Sequence, residues 1–585
     1  MPLFSHVVLS YSWAKQSVKY EGHSMIKKIL LCAAITTAAA STSYAQSCKE
    51  ADIVLKNGTV YTVDENNPSA EAIAILGSKI IYVGDNIGAE RYSCGDANVV
   101  DLTGKAVYPG LIDAHGHLSR VGEREVNLNL QSINSLKEVL EKVKEYADNN
   151  PNAEWISGRG WIEKVWPEGR FPTRQDLDVI VPDRPVFLVR ADAHAAVINT
   201  AAMNMAKITG TTVAPSGGAI NLDENGEPTG MLIDKAMNLV LPLIPSITRE
   251  KAKDNIRIAT ERNVSLGWTG FHNAGDTYDV LRMMRELRAE GNLKHRVYHA
   301  VRPMLYAEDA EILFENGGEI DPEHYVTARQ FKITVDGALG SRGAGFIEPY
   351  SDYDTQGLVR YSEDDLRPLL IRGLENGLQF QLHAIGDAAN RMVLNAFEQA
   401  LKAVPKSKRK VNDPRWRIEH AQNVQPGDVD RFIDLDIIPS MQPSHAIGDL
   451  HFAEDRLGID RLANAYLWRT FIDKGAIIPG GTDQPVEIGD PRIEFYAAVA
   501  RKDLDGFSAE GWHPELKVTR EEALKMFTIW AAYAAFQENV LGSLEVGKLA
   551  DISIFDKDIM TIPENEIMSS NAVMTIVHGD IVYYK

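Results

Sequence analysis

Short apolar runs bounded by turn residues lie near both ends of the chain. The first two are ADIVLKNGTVYTV and AIAILGSKIIYVG, which are rich in Val and Ile and contain Asn57-Gly58 and Gly77-Ser78. Runs of this kind predict short β-strands separated by turns. Two runs close to the C-terminus, GKLADISIFDKD and AVMTIVHGDIVYYK, have the same character. We therefore predict a small composite β-sandwich domain formed by residues 46–106 and 540–585.

Eight further apolar runs, each followed by a helical stretch, fill the middle of the chain. They lie near residues 106–118, 266–275, 295–305, 329–340, 378–387, 415–422, 436–443 and 476–486. Strands that alternate with helices predict a parallel sheet with the helices packed outside it. Eight such units predict an α/β fold of the (β/α)₈ TIM-barrel class, which we place at residues 107–539.

The spacing of these runs also predicts a large insertion. Residues 119–265 separate the first run from the second, whereas the loops of such units usually have about 2–6 residues. We predict an insertion at about residues 120–255, with β structure of its own, over the C-terminal mouth of the barrel. Farther along, TREEALKMFTIWAAYAAF predicts an amphipathic helix that begins with Thr519 and Glu522 in capping-box spacing.

The N-terminal region has the features of a secretory signal. From Met25, the sequence MIKKILLCAAITTAAASTSYAQS has two lysines, an apolar stretch and the small-residue site Ser43-Tyr44-Ala45. The apolar stretch is shorter than the ~20 residues that a membrane-spanning helix needs. We expect an extension and signal peptide in residues 1–45, with the start at Met25 and the signal at about 25–45. This predicts export to the bacterial periplasm without stable membrane insertion.

Two cysteines remain after the signal, Cys48 and Cys94. An exported chain meets an oxidising compartment, which would permit a disulfide between them. Lipidation of Cys48 is the alternative.

Composition and charge exclude some classes of protein. Hydrophobic residues make up 44% of the chain and charged residues 24%, as in a globular protein. The formal net charge is −20 and the pI is near 5.3. Nucleic acid is therefore not expected as a partner, because binding to phosphates needs clustered Lys and Arg. We expect a small-molecule substrate and leave a homo-oligomer open.

Candidate chemistry begins at the end of the first predicted barrel strand, at His115-Gly116-His117. Residues i and i+2 of a strand point to the same side, so both imidazoles can reach one metal ion. This pair alone is weak support for a metal site, since two ordinary core or surface histidines would give the same pattern.

Four more residues strengthen the case. His383, His420 and Asp483 lie at the ends of the fifth, sixth and eighth predicted strands, where these barrels carry their catalytic groups. Lys332 lies within the fourth strand, where a buried lysine is costly unless its pKa falls or it is modified. A lysine on the barrel exterior is the alternative interpretation.

Several motifs together resemble one family. They are YPGLIDAHGHL, QFKITVDGALGSR, QLHAIGD, IEHAQ, GTDQPV and GSLEVGKLADISIFD. In this order they resemble the amidohydrolase 3 group of the amidohydrolase superfamily, which contains N-substituted formamide deformylases. The resemblance implies that the metal-site residues are His115, His117, Lys332, His383, His420 and Asp483. It also implies that CO₂ carboxylates Lys332 to a carbamate that bridges two metal ions. We expect two Zn²⁺ ions because imidazole-rich sites with open positions suit zinc, with manganese, iron and nickel as alternatives.

The implied activity is hydrolysis of a carbon–nitrogen bond other than a peptide bond. A metal hydroxide would deacylate an N-substituted amide or open a cyclic amide, with Asp483 as the general base. A mononuclear deaminase of an amino-heterocycle is an alternative, but the similar deaminases usually carry a glutamate at the position of Gly386. Lactone or phosphoester hydrolysis and a non-catalytic binding protein on the same fold also stay open.

Other residues are candidates for the substrate pocket. They are Arg190, His194, Arg342, Gln442 and His445, together with Trp161 and Trp166 in the insertion. For each of them, ordinary packing or a surface hydrogen bond explains the residue equally well.

Overall fold

The computed structural model describes residues 48–131, 133–163, 166–191, 195–215 and 218–585. The signal peptide predicted at about 25–45 and the pocket candidate His194 lie outside the described residues. In the part of the chain that is described, no helix combines the length and the apolar character that crossing a bilayer would require.

Residues 48–109 form seven short strands and one short helix. They are β1 (Ile53–Lys56), β2 (Thr59–Tyr61), β3 (Ser69–Ala70), β4 (Ala72–Leu76), β5 (Lys79–Gly84), α1 (Asn86–Ala89), β6 (Asn98–Asp101) and β7 (Ala106–Pro109). Strands β5, β4, β1 and β6 make one sheet in that order. A disulfide joins Cys48 to Cys94, with 6.1 Å between the Cα atoms, and so ties the start of this segment to the region before β6.

The first barrel strand is followed by a helix and then by a separate sheet. These elements are β8 (Leu111–Gly116), α2 (Leu118–Val126), β9 (Leu128–Asn129), α3 (Leu136–Asn149), β10 (Ile156–Trp161), α4 (Arg174–Asp178), β11 (Val186–Arg190), β12 (Ala195–Ile198), α5 (Thr200–Met205), β13 (Gly218–Leu222) and β14 (Pro228–Asp234). Among the described residues, the sheet order is β13-β14-β12-β11-β10-β9. Gln131 donates to the carbonyl of Pro485 (3.2 Å), which brings this region next to the mouth of the barrel.

Trp161 and Trp166 do not face a substrate. Both are buried in the apolar core between this sheet and α3. Their indole N–H groups donate to the carbonyls of Leu188 and Ile133, so each ring has a structural role. Of the two interpretations that the sequence left open, the burial of both rings therefore favours ordinary packing.

Residues 249–440 supply the remaining strands of an α/β, TIM-like barrel. The elements are α6 (Arg249–Ser265), β15 (Trp268–Asp276), α7 (Tyr278–Ala289), β16 (Arg296–Val301), α8 (Ala307–Asn316), β17 (Val326–Thr334), α9 (Glu363–Asn376), β18 (Gln379–Ala384), α10 (Asp387–Ala403), β19 (Arg417–His420), α11 (Pro426–Asp434) and β20 (Ile438–Ser440). With β8 they form a seven-stranded parallel sheet in the order β20-β19-β18-β17-β16-β15-β8.

The eighth predicted strand, near 476–486, is not a regular strand. Its backbone nevertheless bridges the gap between the two edge strands of the sheet. Ala114 donates to Gly480, and Asp483 donates to His115, on the β8 side. Met441 donates to Pro479 on the side of β20. An irregular segment therefore closes the barrel and carries Asp483 to its mouth.

The helices that follow the barrel strands differ from the sequence prediction at one point. The elements are α12 (Pro443–Asp449), α13 (Ala453–Leu457), α14 (Ile459–Leu462), α15 (Trp468–Asp473), α16 (Pro491–Ala500), α17 (Arg520–Met526) and α18 (Ile529–Ala534). The predicted capping box of Thr519 and Glu522 is present. The helix nevertheless stops at Met526, because the carbonyls of Met526 and Phe527 accept hydrogen bonds from Gly480 and Ile112 of the barrel.

The C-terminal strands return to the N-terminal ones. They are β21 (Ile552–Phe555), β22 (Ala572–Val577) and β23 (Asp580–Tyr584). They join a six-stranded sheet of order β23-β22-β21-β7-β2-β3. Its apolar side chains meet those of the β5-β4-β1-β6 sheet in one core. The domain boundaries drawn from the sequence stay a prediction.

Candidate metal centre

Two groups of potential metal ligands meet at the mouth of the barrel. His115, His117 and Asp483 form one group, in which the ligand atoms all lie within 4.8 Å of one another. His420, His445 and Asp483 form the second group under the same limit. Asp483 belongs to both, so its two carboxylate oxygens can serve two neighbouring ions.

The distances show how closely Asp483 lies to the imidazoles. Its Oδ1 is 3.1 Å from Nε2 of His117 and 3.6 Å from Nε2 of His115. Its Oδ2 is 3.6 Å from Nε2 of His445. Buried Nδ1 of His420 and Nε2 of His445 have no hydrogen-bond partner among the described residues. Buried imidazole nitrogens without partners, beside a carboxylate, are a donor set that fits a divalent metal ion such as zinc.

The backbone positions these ligands closely. Glycine is required at position 481, because a Cβ there would lie 2.4 Å from the backbone nitrogen of His115. The carboxylate of Asp113 accepts hydrogen bonds from the backbone nitrogens of His115 (3.1 Å) and Thr482 (3.0 Å), and also from Gln484 Nε2 (2.9 Å). Asp113 therefore joins the strand that carries His115 to the segment that carries Asp483.

A buried ion pair orients His115. Glu419 Oε2 accepts from Nδ1 of His115 (2.5 Å), and its Oε1 lies 2.6 Å from Nε of Arg417. Burial, and next the charge of Lys332, lower the pKa of His115 to about 4, so its ring is neutral at pH 7. Burial opposes the charge on Glu419, but Arg417 and His115 hold the pKa of this carboxyl well below its usual range. With Nδ1 protonated and bonded to Glu419, the Nε2 lone pair of His115 points into the site.

Lys332 and His383 lie beside the two groups rather than within them. Lys332 Nζ is 3.2 Å from Nε2 of His115, and burial lowers the pKa of this amine to about 8. The ring of His383 is 4.4 Å from that of His420 between centroids. Its Nε2 lies 3.3 Å from Oδ1 of Asp336. The structure thus brings all six predicted metal-site residues to one end of the barrel.

The pocket candidates have different surroundings. His445 belongs to a ligand group, a position that its sequence context alone did not indicate. Gln442 is buried just before α12, and neither atom of its amide has a partner among the described residues. Arg342 instead forms an ion pair with Asp352, with 2.7 Å between Nη2 and Oδ2.

Residues that the sequence analysis missed include Asp113, Asp336, Arg417 and Glu419. A signal was present for two of them. In RIEH, Arg417, Glu419 and the potential ligand His420 occupy one short strand, and a charged pair at i and i+2 of a buried strand faces one side of the sheet.

Comparisons with known proteins agree with this geometry. The model of the amidohydrolase family matches residues 98–583. The chain belongs to the amidohydrolase family. It is 32% identical to the putative amidohydrolase YtcJ of Bacillus subtilis, over 90% of this chain and 98% of that protein. It is 29% identical to the N-substituted formamide deformylase of Arthrobacter pascens, over 91% and 98% of the two chains.

A solved structure supports the same assignment. The crystal structure of an uncharacterized metal-dependent hydrolase from Pyrococcus furiosus is similar to this chain with a TM-score of 0.70 and 31% identity. The similarity covers 87% of this chain and all of the other. This amidohydrolase is therefore a metal-dependent enzyme of a class that hydrolyses carbon–nitrogen bonds.

Proposed function

We propose that this amidohydrolase deacylates an N-substituted amide, in which water cleaves the bond between the carbonyl carbon and the nitrogen. The observation that carries the proposal is the position of Asp483, which belongs to both groups of potential metal ligands. The name of the Arthrobacter pascens relative, N-substituted formamide deformylase, supports an acyl group as small as formyl.

Asp483 is the group that moves the proton. Burial opposes the charge on Asp483, but the hydrogen bond from His117 and the charges that the neighbouring imidazoles carry when protonated hold its pKa well below its usual range, so it starts as a carboxylate. It accepts a proton from the attacking water as the water oxygen bonds to the carbonyl carbon. It then delivers that proton to the nitrogen as the C–N bond breaks. The products are a carboxylic acid and an amine, and at neutral pH the acid passes its proton to the amine, which leaves a carboxylate and an ammonium ion.

Two divalent ions would complete the site, and we propose zinc because imidazole-rich sites suit it. His115, His117 and Asp483 would hold one ion, and His420 and His383 or His445 would hold the other. Such ions would lower the pKa of a coordinated water to about 7 and polarise the scissile carbonyl. We further propose that CO₂ converts Lys332 to a carbamate, since an anion beside Nε2 of His115 suits two cations better than an ammonium does.

Metal analysis on purified protein tests the site. The protein is prepared in bicarbonate, and its metal content is measured by mass spectrometry for wild type, Lys332→Ala and Lys402→Ala. Lys402 is an exposed lysine paired with Glu398 on α10 and serves as the matched control. We expect about two ions per chain in wild type and the control. A large loss of bound metal is expected only in Lys332→Ala.

Activity is measured next with N-substituted formamides, by following release of formate and amine. Asp483→Asn is expected to abolish turnover in protein that still contains metal. One ion per chain in wild type and in both lysine variants would contradict the carbamate, and turnover by Asp483→Asn would contradict its role as the base.

We also propose that the enzyme is exported and that the sheet of β9–β14 is an insertion domain beside the barrel mouth. The Cys48–Cys94 disulfide supports export, because disulfides persist in oxidising compartments. Cell fractionation followed by mass spectrometry of the mature N-terminus tests this. A product that begins near residue 46 is expected, and an uncleaved chain in the cytoplasm would contradict export.

A further inference from the structure

Two arginines without a carboxylate partner lie at the mouth of the barrel. Arg302 follows β16 directly, and Arg120 lies in the first turn of α2, three residues after His117. In the described part of the chain, neither guanidinium has a carboxylate oxygen within 4.0 Å. The neighbouring Arg124 differs, because it pairs with Glu125 at 3.0 Å. Asp276 and Asp483 act on Arg302 only from a longer range, where their charges raise its pKa without forming an ion pair.

The backbone is built to hold Arg302 beside Lys332. Arg302 Nε donates to the carbonyl of Gly275 (3.0 Å), and Nη2 lies 3.5 Å from the carbonyl of Ala274. Gly275 has a φ of +98°, and a Cβ there would lie 2.8 Å from Cγ of Arg302 and 2.9 Å from Cβ of Lys332. A glycine is therefore needed at this close approach. The Nη1 group is left without a protein acceptor among the described residues.

The two arginines repel each other electrostatically, and the charge of Arg302 also acts on two residues of the proposed metal site. Burial lowers the pKa of Arg302 and the positive charge of Arg120 lowers it further, against the opposing charges of Asp276 and Asp483. The charge of Arg302 also contributes, after burial, to the lowered pKa values of His117 and Lys332. An anion bound at Arg302 would relieve this repulsion while lying next to the reacting groups.

A cavity adjoins Arg120. Its volume is about 440 Å³, and its walls include Gln131, Phe187, Val189 and Pro485. That volume lies in the range of about 300–1,000 Å³ found for small-molecule sites. None of the proposed metal ligands lines it, so it is placed for a part of the substrate away from the scissile bond.

We propose that Arg302, assisted by Arg120, binds a carboxylate of the substrate, so that this enzyme prefers amides that also carry a carboxylate. The inference rests on the proposed function, because it names the substrate class of that same site. A guanidinium is suited to this role, since its planar N–H groups match the two oxygens of a carboxylate. The remainder of the substrate extends along Arg120 into the cavity.

A matched pair of substrates tests the proposal: neutral N-benzylformamide and its carboxylated form, 4-(formamidomethyl)benzoate. With the metal-loaded enzyme, we expect kcat/KM for the carboxylated amide to exceed that for the neutral amide by at least about tenfold. In Arg302→Gln this ratio should fall by about 10- to 100-fold, as for loss of a charge-assisted hydrogen bond. Arg302→Lys keeps the charge without the planar N–H groups, so its substrate ratio should lie between those of wild type and Arg302→Gln.

Arg372→Gln is the control, because Arg372 is an arginine on the outer helix α9 that pairs with Glu311, and its loss changes the net charge equally. Its substrate ratio should equal that of wild type. No preference in wild type, or an unchanged ratio in Arg302→Gln, would overturn the proposal.

If wild type hydrolyses neither amide, the proposed function fails, but the carboxylate site is still tested. Calorimetry then measures binding of the carboxylated amide without turnover. Affinity that falls at least about tenfold in Arg302→Gln supports the site, and equal affinity in both proteins overturns it.

Discussion

The carboxylate of Glu419 lies 2.5 Å from Nδ1 of His115, and both side chains are fully buried. This contact fixes which nitrogen of His115 carries the proton, so the other nitrogen presents a lone pair to the metal site. Carboxylate partners of this kind also raise the basicity of a ligand histidine. Arg417 keeps Glu419 ionised. The Arg417–Glu419 ion pair therefore acts on the proposed metal site through His115.

The first prediction is that Glu419→Gln weakens metal binding by about 10- to 100-fold, because a neutral amide no longer supports His115. Competition with a chromogenic chelator measures the affinity. The matched control is Glu398→Gln, which alters a surface glutamate paired with Arg431. An affinity equal to that of wild type would show that Glu419 only fills space.

Removing Glu419 alone also leaves Arg417 as a buried unpaired charge, which costs about 3–5 kcal/mol. If circular dichroism shows that the single variant is unfolded, the double variant Arg417→Gln/Glu419→Gln removes both charges. Its metal affinity then gives the same test in a folded protein.

The sequence predicted most of the barrel because its strands are buried on both faces and read as continuous apolar runs. The run near 476–486 was harder to interpret. Its Gly480-Gly481 pair allows close contact with His115 but gives no regular ladder, so the segment closes the barrel without being a strand. The break in the helix at Phe527 has a tertiary cause, the hydrogen bond from Ile112, which no local pattern reports.

The convergence of the proposed metal-site residues could be predicted for a related reason. His115, His383 and His420 mark the ends of strands, and the ends of parallel strands converge at one mouth. Glu419 could not be predicted in the same way, because its role depends on the distance across the barrel from β19 to β8. His445 lies on α12, outside the strands, so its approach to Asp483 depends on how that helix packs.

The second prediction concerns Gly481→Ala, in which the new methyl group would meet the backbone of His115. One of the two segments must shift, and overpacking of this kind costs about 1–3 kcal/mol. We expect a lower free energy of unfolding in urea and a lower metal content. Gly427→Ala is the control, since a Cβ at Gly427 meets nothing within 4 Å. If both variants retain the stability and metal content of wild type, the close approach is not required.

The third prediction concerns Asp113→Asn, which keeps the shape of the side chain and removes one acceptor atom. Oδ2 of Asp113 accepts from Thr482 Oγ1 (2.7 Å) and Gln484 Nε2 (2.9 Å), and an amide nitrogen there would face two donors. Leaving a buried donor unpaired costs about 1–3 kcal/mol. Urea unfolding should show a loss of this size, with little change in the exposed control Asp354→Asn. Equal stability of the two variants would mean that Asp113 does not join the first strand to the closing segment.

The last prediction concerns the disulfide between Cys48 and Cys94, which are 46 positions apart. Closing a loop of this length stabilises a folded segment by about 2–4 kcal/mol, because it restricts the unfolded chain. In Cys48→Ser/Cys94→Ser we expect faster amide hydrogen exchange in β1 and β6, the strands that pair next to the link. Reductant should change the exchange of wild type in the same way and leave the double variant unaltered, because it has no bond to cleave. If wild type exchanges equally fast with and without reductant, the bond does not stabilise this sheet, and the support that it gives to export is lost as well.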